Sequence, residues 1–194
     1  MTSKIRKILV HTCCASCASY VFAELQKAGF VPVAFFYNPE IDGHEEYQKR
    51  RENIENYCQE NDIQLILPEH HPDDLLDIIA PYKDKSSIKY ITEIDRYRRR
   101  RCRFCNSLLI QQTVEQAKQL KINYFTTTLL CSPYKDHDEI VEICNERALD
   151  YGLTFYYQDF RKGYWKGRNY AKNHDLESPT FCGCKDSKAE GRLE

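Results

Sequence analysis

Short apolar runs alternate with longer amphipathic stretches along most of the chain. Ile5 to Val10 reads as a buried strand, as do Val31 to Tyr37, Ile63 to Leu67, Asn123 to Leu130 and Leu153 to Tyr157. Between them the spacing predicts helices. One runs from about Ala15 to Lys27 and stops at Gly29. A second covers His44 to Glu60, with Tyr47, Ile54, Tyr57 and Cys58 near one face. Pro72 opens a short helix through Ile79. Cys105 to Leu120 and Asp136 to Tyr151 follow, the last ending at Gly152. Residues 80 to 100 break the rhythm with Pro81, a Lys/Ser-rich stretch and an arginine run. Strands alternating with helices predict an α/β fold with a parallel sheet and right-handed crossovers. We expect an α/β domain over residues 1–158, with an inserted basic segment at about 80–104. A basic, aromatic C-terminal extension, 159–194, carries Cys182-Gly183-Cys184.

Ligands of such sheets bind beyond the carboxyl ends of the strands. Cys13, Cys14 and Cys17 follow the first strand, Asn38-Pro39 the second, and Cys131-Ser132 the fourth. These loops are expected on one rim.

Composition narrows the class. The 194 residues suit one domain, and 42% hydrophobic with 29% charged residues supports a packed core. A net charge of −1 excludes a uniformly polyanion-binding protein, so any basic patch is local. No apolar run approaches the roughly 18–20 residues of a membrane span, and Met1 to Val10 is too short for a secretory signal. The expected location is the cytosol, where thiols stay reduced.

Ten cysteines fall below the roughly 8–10% of a disulfide scaffold, so their clusters read as metal or redox sites. Two groups stand out, Cys13-Cys14-x-x-Cys17 and Cys102-x-x-Cys105. Both are expected where chain enters a helix, whose N-terminal partial charge favours thiolates. Four thiolates suit zinc or an iron–sulfur cluster. Adjacent Cys13 and Cys14 are unusual for structural zinc and favour the cluster. Cys58 and Cys144, inside helical stretches, read as packed thiols, and so does Cys131 despite its position near the rim. Cys182-Gly183-Cys184 would close a very small, strained ring, which suits a reducible dithiol carrying two electrons; a half metal site and an unpaired couple are the alternatives.

Lys85 to Arg103 holds eight basic and two acidic residues, a local excess of six positive charges, and runs into Cys102 and Cys105. Phe160 to Lys172 adds five basic residues and no acid, interleaved with Tyr164, Trp165 and Tyr170. Arginine forks grip phosphates and aromatic rings stack on unpaired bases. Arg98, Arg99, Arg100, Arg101, Lys162, Trp165, Lys166 and Arg168 are therefore the candidate contacts to single-stranded or looped RNA.

These motifs together resemble epoxyqueuosine reductases of the QueH type. The resemblance is carried by Leu9-Val-His-Thr-Cys-Cys-Ala-Ser-Cys-Ala-Ser-Tyr20, Phe35-Phe-Tyr-Asn-Pro39, Glu46-Tyr-x-x-Arg50, Arg101-Cys-x-x-Cys105, Thr126-Thr-Thr-Leu-x-x-Ser-Pro133, Asp159-Phe-Arg-Lys162 and Cys182-Gly-Cys184. It implies a Rossmann-like, adenine-nucleotide-hydrolase fold and reduction of epoxyqueuosine to queuosine at the tRNA wobble position. It also implies a [4Fe-4S] cluster on Cys13, Cys14, Cys102 and Cys105, with Cys182 and Cys184 as a redox-active pair. Cys17 would help hold a second metal ion, iron or zinc, beside the cluster. The implied partners are tRNA and an unidentified electron donor, the chain acting as a monomer and without a membrane. By position, Asp136, His137, His11 and Tyr134 are candidate proton donors. Two other readings remain at this point. One is a PP-loop-type RNA-modifying enzyme, disfavoured because the loop after the first strand lacks glycine. The other is a zinc-stabilised RNA-binding module.

Overall fold

The structure is a computed structural model that describes residues 6–68 and 91–189, with side chains from residue 96 onward in the second stretch. The helix expected at 72–79, along with Pro81, Lys85 and Lys89, lies outside the described residues. Five strands form one sheet: β1 (Arg6–His11), β2 (Phe30–Phe35), β3 (Gln64–Ile66), β4 (Tyr124–Thr127) and β5 (Thr154–Phe155). Every pairing is parallel, and the order is β3-β2-β1-β4-β5. The expected α/β, Rossmann-like architecture is thus present. The order reverses at β1, whose neighbours are β2 and β4, and this is where such sheets open a crevice. Central β1 reads as a near-continuous apolar run because both faces are covered: Ile8, Leu9 and Val10 have no exposed surface.

The helices are α1 (Ala15–Lys27), α2 (His44–Glu60), α3 (Ile91–Gln119), α4 (His137–Tyr151), α5 (Tyr164–Asn173) and α6 (Lys185–Ala189). Helix α1 buries Ala18, Val21, Phe22 and Leu25, three and four residues apart. Helix α4 starts at Asp136, whose carboxylate accepts from the Glu139 amide at 3.1 Å, and stops at Gly152 in the left-handed conformation.

Helix α3 differs from expectation. The pattern predicts a start at Cys105, but Ile91–Gln119 is one continuous helix containing the arginine run. Arginine is a good helix former, so dense positive charge does not end the helix. Cys102 and Cys105 therefore stand in mid-helix, one turn apart on one face, and gain nothing from a helix N-terminus. By contrast Cys14 is the N-cap residue of α1 and Cys17 lies in its first turn, as expected.

Helix α5 of the C-terminal extension packs on α1. The approach is close enough that a Cβ on Gly167 would lie 2.1 Å from the carbonyl oxygen of Ser16, between Cys14 and Cys17. Gly167→Ala should therefore lower stability by about 1–3 kcal/mol and loosen the cysteine turn. Thermal denaturation with metal analysis checks this; an unchanged midpoint and metal content would contradict the close packing.

Candidate metal and redox centre

The turn after β1 is held from both neighbouring strands. The Asn38 side-chain amide donates to the Thr12 carbonyl at 2.9 Å, and the Cys13 amide donates to the Thr128 hydroxyl at 3.0 Å. The Thr128 hydroxyl in turn donates to the Cys13 sulfur at 3.2 Å. Beneath them His11 is fully buried. Its Nε2 faces the Tyr37 carbonyl at 3.2 Å and its Nδ1 the Thr127 hydroxyl at 2.9 Å. A carbonyl can only accept, so Nε2 carries the hydrogen. Burial lowers the His11 pKa to about 4, so the ring is neutral and acts as a strut beneath the turn.

The Cys13 and Cys14 sulfurs are 3.8 Å apart, and those of Cys13, Cys14 and Cys17 all lie within 4.8 Å of one another. Tetrahedral metal–thiolate bonds of about 2.3 Å separate sulfurs by roughly 3.8 Å, so the trio has single-ion spacing. Hydrogen bonds from Cys13 and Cys17 hold Cys14 well below the ordinary thiol range. The same mutual bonds, with burial, push Cys13 and Cys17 up. Without a cation the three thus favour one negative charge, centred on Cys14; further deprotonation needs positive charge among them.

One cavity of about 470 Å³ gathers most of the chemistry. Its wall includes Cys13, Cys14, Cys17, Cys102, Cys182 and Cys184. Cys105 lies in the same neighbourhood: burial raises its thiol, followed by the charge of Glu40, while Lys135, Cys182 and Cys184 also act on it. Burial likewise raises Cys102. Lys135 donates to the Cys182 sulfur at 2.9 Å. Burial alone would lower its pKa, but its interactions with Cys182, Cys105 and Cys102, including the hydrogen bond to Cys182, raise it overall, so the amine remains an ammonium among the sulfurs. Cys182 and Cys184 are both free, and Cys184 accepts from the Ser187 amide at 3.4 Å.

Helical spacing divides the arginine run. Arg98, Arg99 and Arg101 line the cavity with Cys102; Arg99 and Arg100 are both exposed, and Arg100 stands outside the cavity wall. Arg101 is 5% exposed and pairs with Asp186 at 3.2 Å, so it ties α3 to α6. Arg103 pairs with Glu142 at 2.8 Å. Arg168 also lines the cavity and donates to the Pro179 carbonyl at 3.0 Å. Lys162, Trp165 and Lys166 are exposed; Trp165 stands edge-on to Tyr164, which packs edge-on against Tyr134 at the wall.

Among the candidate proton donors, Tyr134 and Asp136 line the cavity. His137 instead shares a 3.2 Å hydrogen bond with the Tyr157 hydroxyl. Cys58 and Cys144 are buried in α2 and α4, as expected, and burial pushes Cys58 up to about 12. Cys131, read as structural, is also fully buried, yet its sulfur interacts with Cys17.

Sequence reasoning assigned no role to Lys135, Glu40 or Arg50, all of which line the cavity. Arg50 left a signal: it falls on the buried stripe of α2 that also holds Tyr47, Ile54, Tyr57 and Cys58.

A parallel α/β sheet whose switch point opens on a wall of thiols defines a Rossmann-like protein suited to metal and redox chemistry. Similarity to known proteins gives the family. The family model described as "Epoxyqueuosine reductase QueH" matches residues 8–190. A protein named "Epoxyqueuosine reductase QueH" from Dehalococcoides mccartyi is 32% identical over 185 residues, covering 95% of this chain and 93% of that one. One of the same name from Thermotoga maritima is 29% identical, covering 95% and 92%. A third, from Streptococcus pyogenes, is 24% identical, covering 91% and 68%. The chain belongs to the epoxyqueuosine reductase QueH family and is an oxidoreductase. Among the described residues, no helix is long and apolar enough to cross a membrane.

Serine in place of Cys13 or Cys14 should sharply reduce bound metal, whereas serine in place of Cys58 or Cys144 should leave it unchanged. Elemental analysis of anaerobically purified protein decides; full metal content in the Cys13 and Cys14 variants would contradict the assignment.

Proposed function

We propose that this cavity removes the epoxide oxygen of epoxyqueuosine at the tRNA wobble position, giving queuosine and water. The observation that carries the reading is the convergence of six cysteines from three separate segments on one cavity of about 470 Å³, a volume in the range of small-molecule sites. Two carbon–oxygen bonds break and one carbon–carbon double bond forms. Two electrons and two protons enter, and oxygen leaves as water. Oxidation of one dithiol to a disulfide releases that number of electrons and protons.

The donor set fits an iron centre: abundant cysteine sulfurs, which a bound metal would hold as thiolates, come from more than one segment to a shared cavity. In this reading Cys13, Cys14, Cys102 and Cys105 hold a [4Fe-4S] cluster, and Cys17 helps to hold a neighbouring iron or zinc ion. When bound, these groups supply one-electron transfer and a Lewis acid for oxygen. Cys182 and Cys184 store the electron pair, with the Lys135 ammonium against the Cys182 sulfur to balance negative charge. An external reductant, from a cytosolic pool, restores the dithiol. Tyr134 and Asp136 stand at the wall as proton-donor positions.

The tRNA meets the mouth of the cavity. Arg98 and Arg99, with exposed Arg100, Lys162 and Lys166, meet phosphates, and exposed Trp165 offers a ring to an unpaired base. Arg101 and Arg168 serve the tRNA indirectly, by holding the tail. In this reading the α/β body runs to residue 158, and the extension that follows carries the dithiol to it.

The central experiment is anaerobic incubation with reductant and epoxyqueuosine-containing tRNA, followed by nucleoside mass analysis. Queuosine should appear, and unreacted epoxide with iron-loaded enzyme would overturn the proposal. The loaded protein should be brown with broad visible absorption. A colourless protein with one zinc would favour a mononuclear centre, to which the single-ion spacing of Cys13, Cys14 and Cys17 is suited. The Cys182→Ser/Cys184→Ser protein should keep its cluster absorbance and lose multiple turnover. Alanine at Arg98, Arg99 and Arg100 should weaken tRNA binding and flatten its salt dependence, by about 0.7 in slope for each phosphate left without its cation. Equal affinity and slope would remove these residues from the interface.

A further inference from the structure

Arg50 is placed where a guanidinium is costly. Its side chain is 5% exposed, on the buried stripe of α2. A buried cation persists only where its donors are satisfied. Arg50 satisfies them mostly on one distant segment. Its Nη2 donates to the Phe181 carbonyl at 3.0 Å and its Nη1 to the Cys182 carbonyl at 3.2 Å. Its Nε donates to Glu46, one turn earlier, at 2.6 Å, and its Cζ lies 5.2 Å from the Phe181 ring centre. Between the two cysteines, Gly183 has a φ of +126°, a conformation that side chains resist. A Cβ there would lie 3.1 Å from Ile41 Cγ1 and 3.3 Å from Arg50 Nη1. The Gly183 carbonyl accepts from the Asp42 amide at 2.9 Å.

We infer that Arg50 is a positioning residue for the reductase, a clamp that holds the Cys182-Gly183-Cys184 loop at the cavity wall. The inference rests on the redox reading of that pair. Residues 174–184 form no helix or strand, so the loop has no hydrogen-bond ladder to fix it. Two adjacent carbonyls gripped by one planar fork replace that ladder, and lysine cannot reproduce the grip. Lys135 meets Cys182 at its sulfur, while Arg50 meets it at its backbone, so the thiol is fixed at both ends. The Glu46 carboxylate completes the clamp by orienting the fork and offsetting its charge.

The test compares Arg50→Lys, Gly183→Ala and Cys182→Ser/Cys184→Ser proteins, all iron-loaded and reduced. Gly183→Ala crowds the loop off Ile41 and the Arg50 fork without altering the arginine, and it serves alone should Arg50→Lys fail to fold. Peptide mass analysis follows alkylation of each cysteine by N-ethylmaleimide. Alkylation of Cys182 and Cys184 should accelerate about tenfold in both clamp variants, the scale expected for losing one or two charge-assisted hydrogen bonds. Multiple turnover should fall in step, with iron content unchanged. Unchanged alkylation in the folded clamp variants overturns the clamp, as does faster alkylation with full turnover. Full multiple turnover in the double serine protein removes the redox reading itself. Lost turnover there, with normal alkylation in the clamp variants, removes Arg50's role alone.

Discussion

The turn that leaves β1 carries Cys13 and Cys14 and leads into Cys17 in the first turn of α1. Its order comes from the two flanking strands and their loops, through the Phe35 carbonyl, which accepts from the Thr12 amide at 2.9 Å, and through side chains. Asn38, beyond β2, takes the Thr12 carbonyl, and Thr128, beyond β4, takes the Cys13 amide. Neutral His11 bridges the same two sides from below. Each hydrogen bond satisfies a buried polar group that would otherwise cost about 1–3 kcal/mol. Neither flank alone would hold both Thr12 and Cys13. The sulfur geometry therefore depends on β1 being central in the sheet.

From that fixed point the rest of the centre is assembled by chain that is far away in sequence. Helix α3 presents Cys102 and Cys105 on one face, and α5 seats Gly167 on the Ser16 carbonyl. The tail then passes over the cavity, anchored by Arg50, Arg101 and Arg168. Three arginines that could have met phosphates by composition are thus committed, in whole or in part, to the protein's own C-terminal segment. This is a consequence of guanidinium chemistry: a planar fork with five donors ties down irregular backbone as readily as it grips a phosphate.

Charge explains why thiols can be concentrated here. Burial raises Cys102 and Cys105, and mutual hydrogen bonding leaves the first trio with one favoured thiolate, at Cys14. The Lys135 ammonium is a fixed cation beside these sulfurs, Arg101 also acts on Cys102, and a bound metal would supply the remainder.

Periodicity alone was enough to reveal the alternation of strands and helices, the stops at Gly29 and Gly152, and the meeting of the post-strand loops on one rim. Buried parallel strands must be apolar and surface helices must be amphipathic, so those features are written locally. Cysteine spacing likewise marked Cys13, Cys14, Cys102, Cys105, Cys182 and Cys184. Residue type did not reveal which arginines face the cavity, because a helix sorts neighbours by 100° steps and Arg98, Arg100 and Arg101 leave it in different directions. Nor did it show that α3 continues through the charged run, or that Cys131 reaches Cys17. Lys135 and Arg50 gained their roles only when the tail folded back on them, since a side chain's partner far along the chain is a property of packing. Local pattern marked most of the elements and the clustered cysteines; their mutual distances came from the folded chain, because they depend on meetings of remote segments that no local pattern encodes.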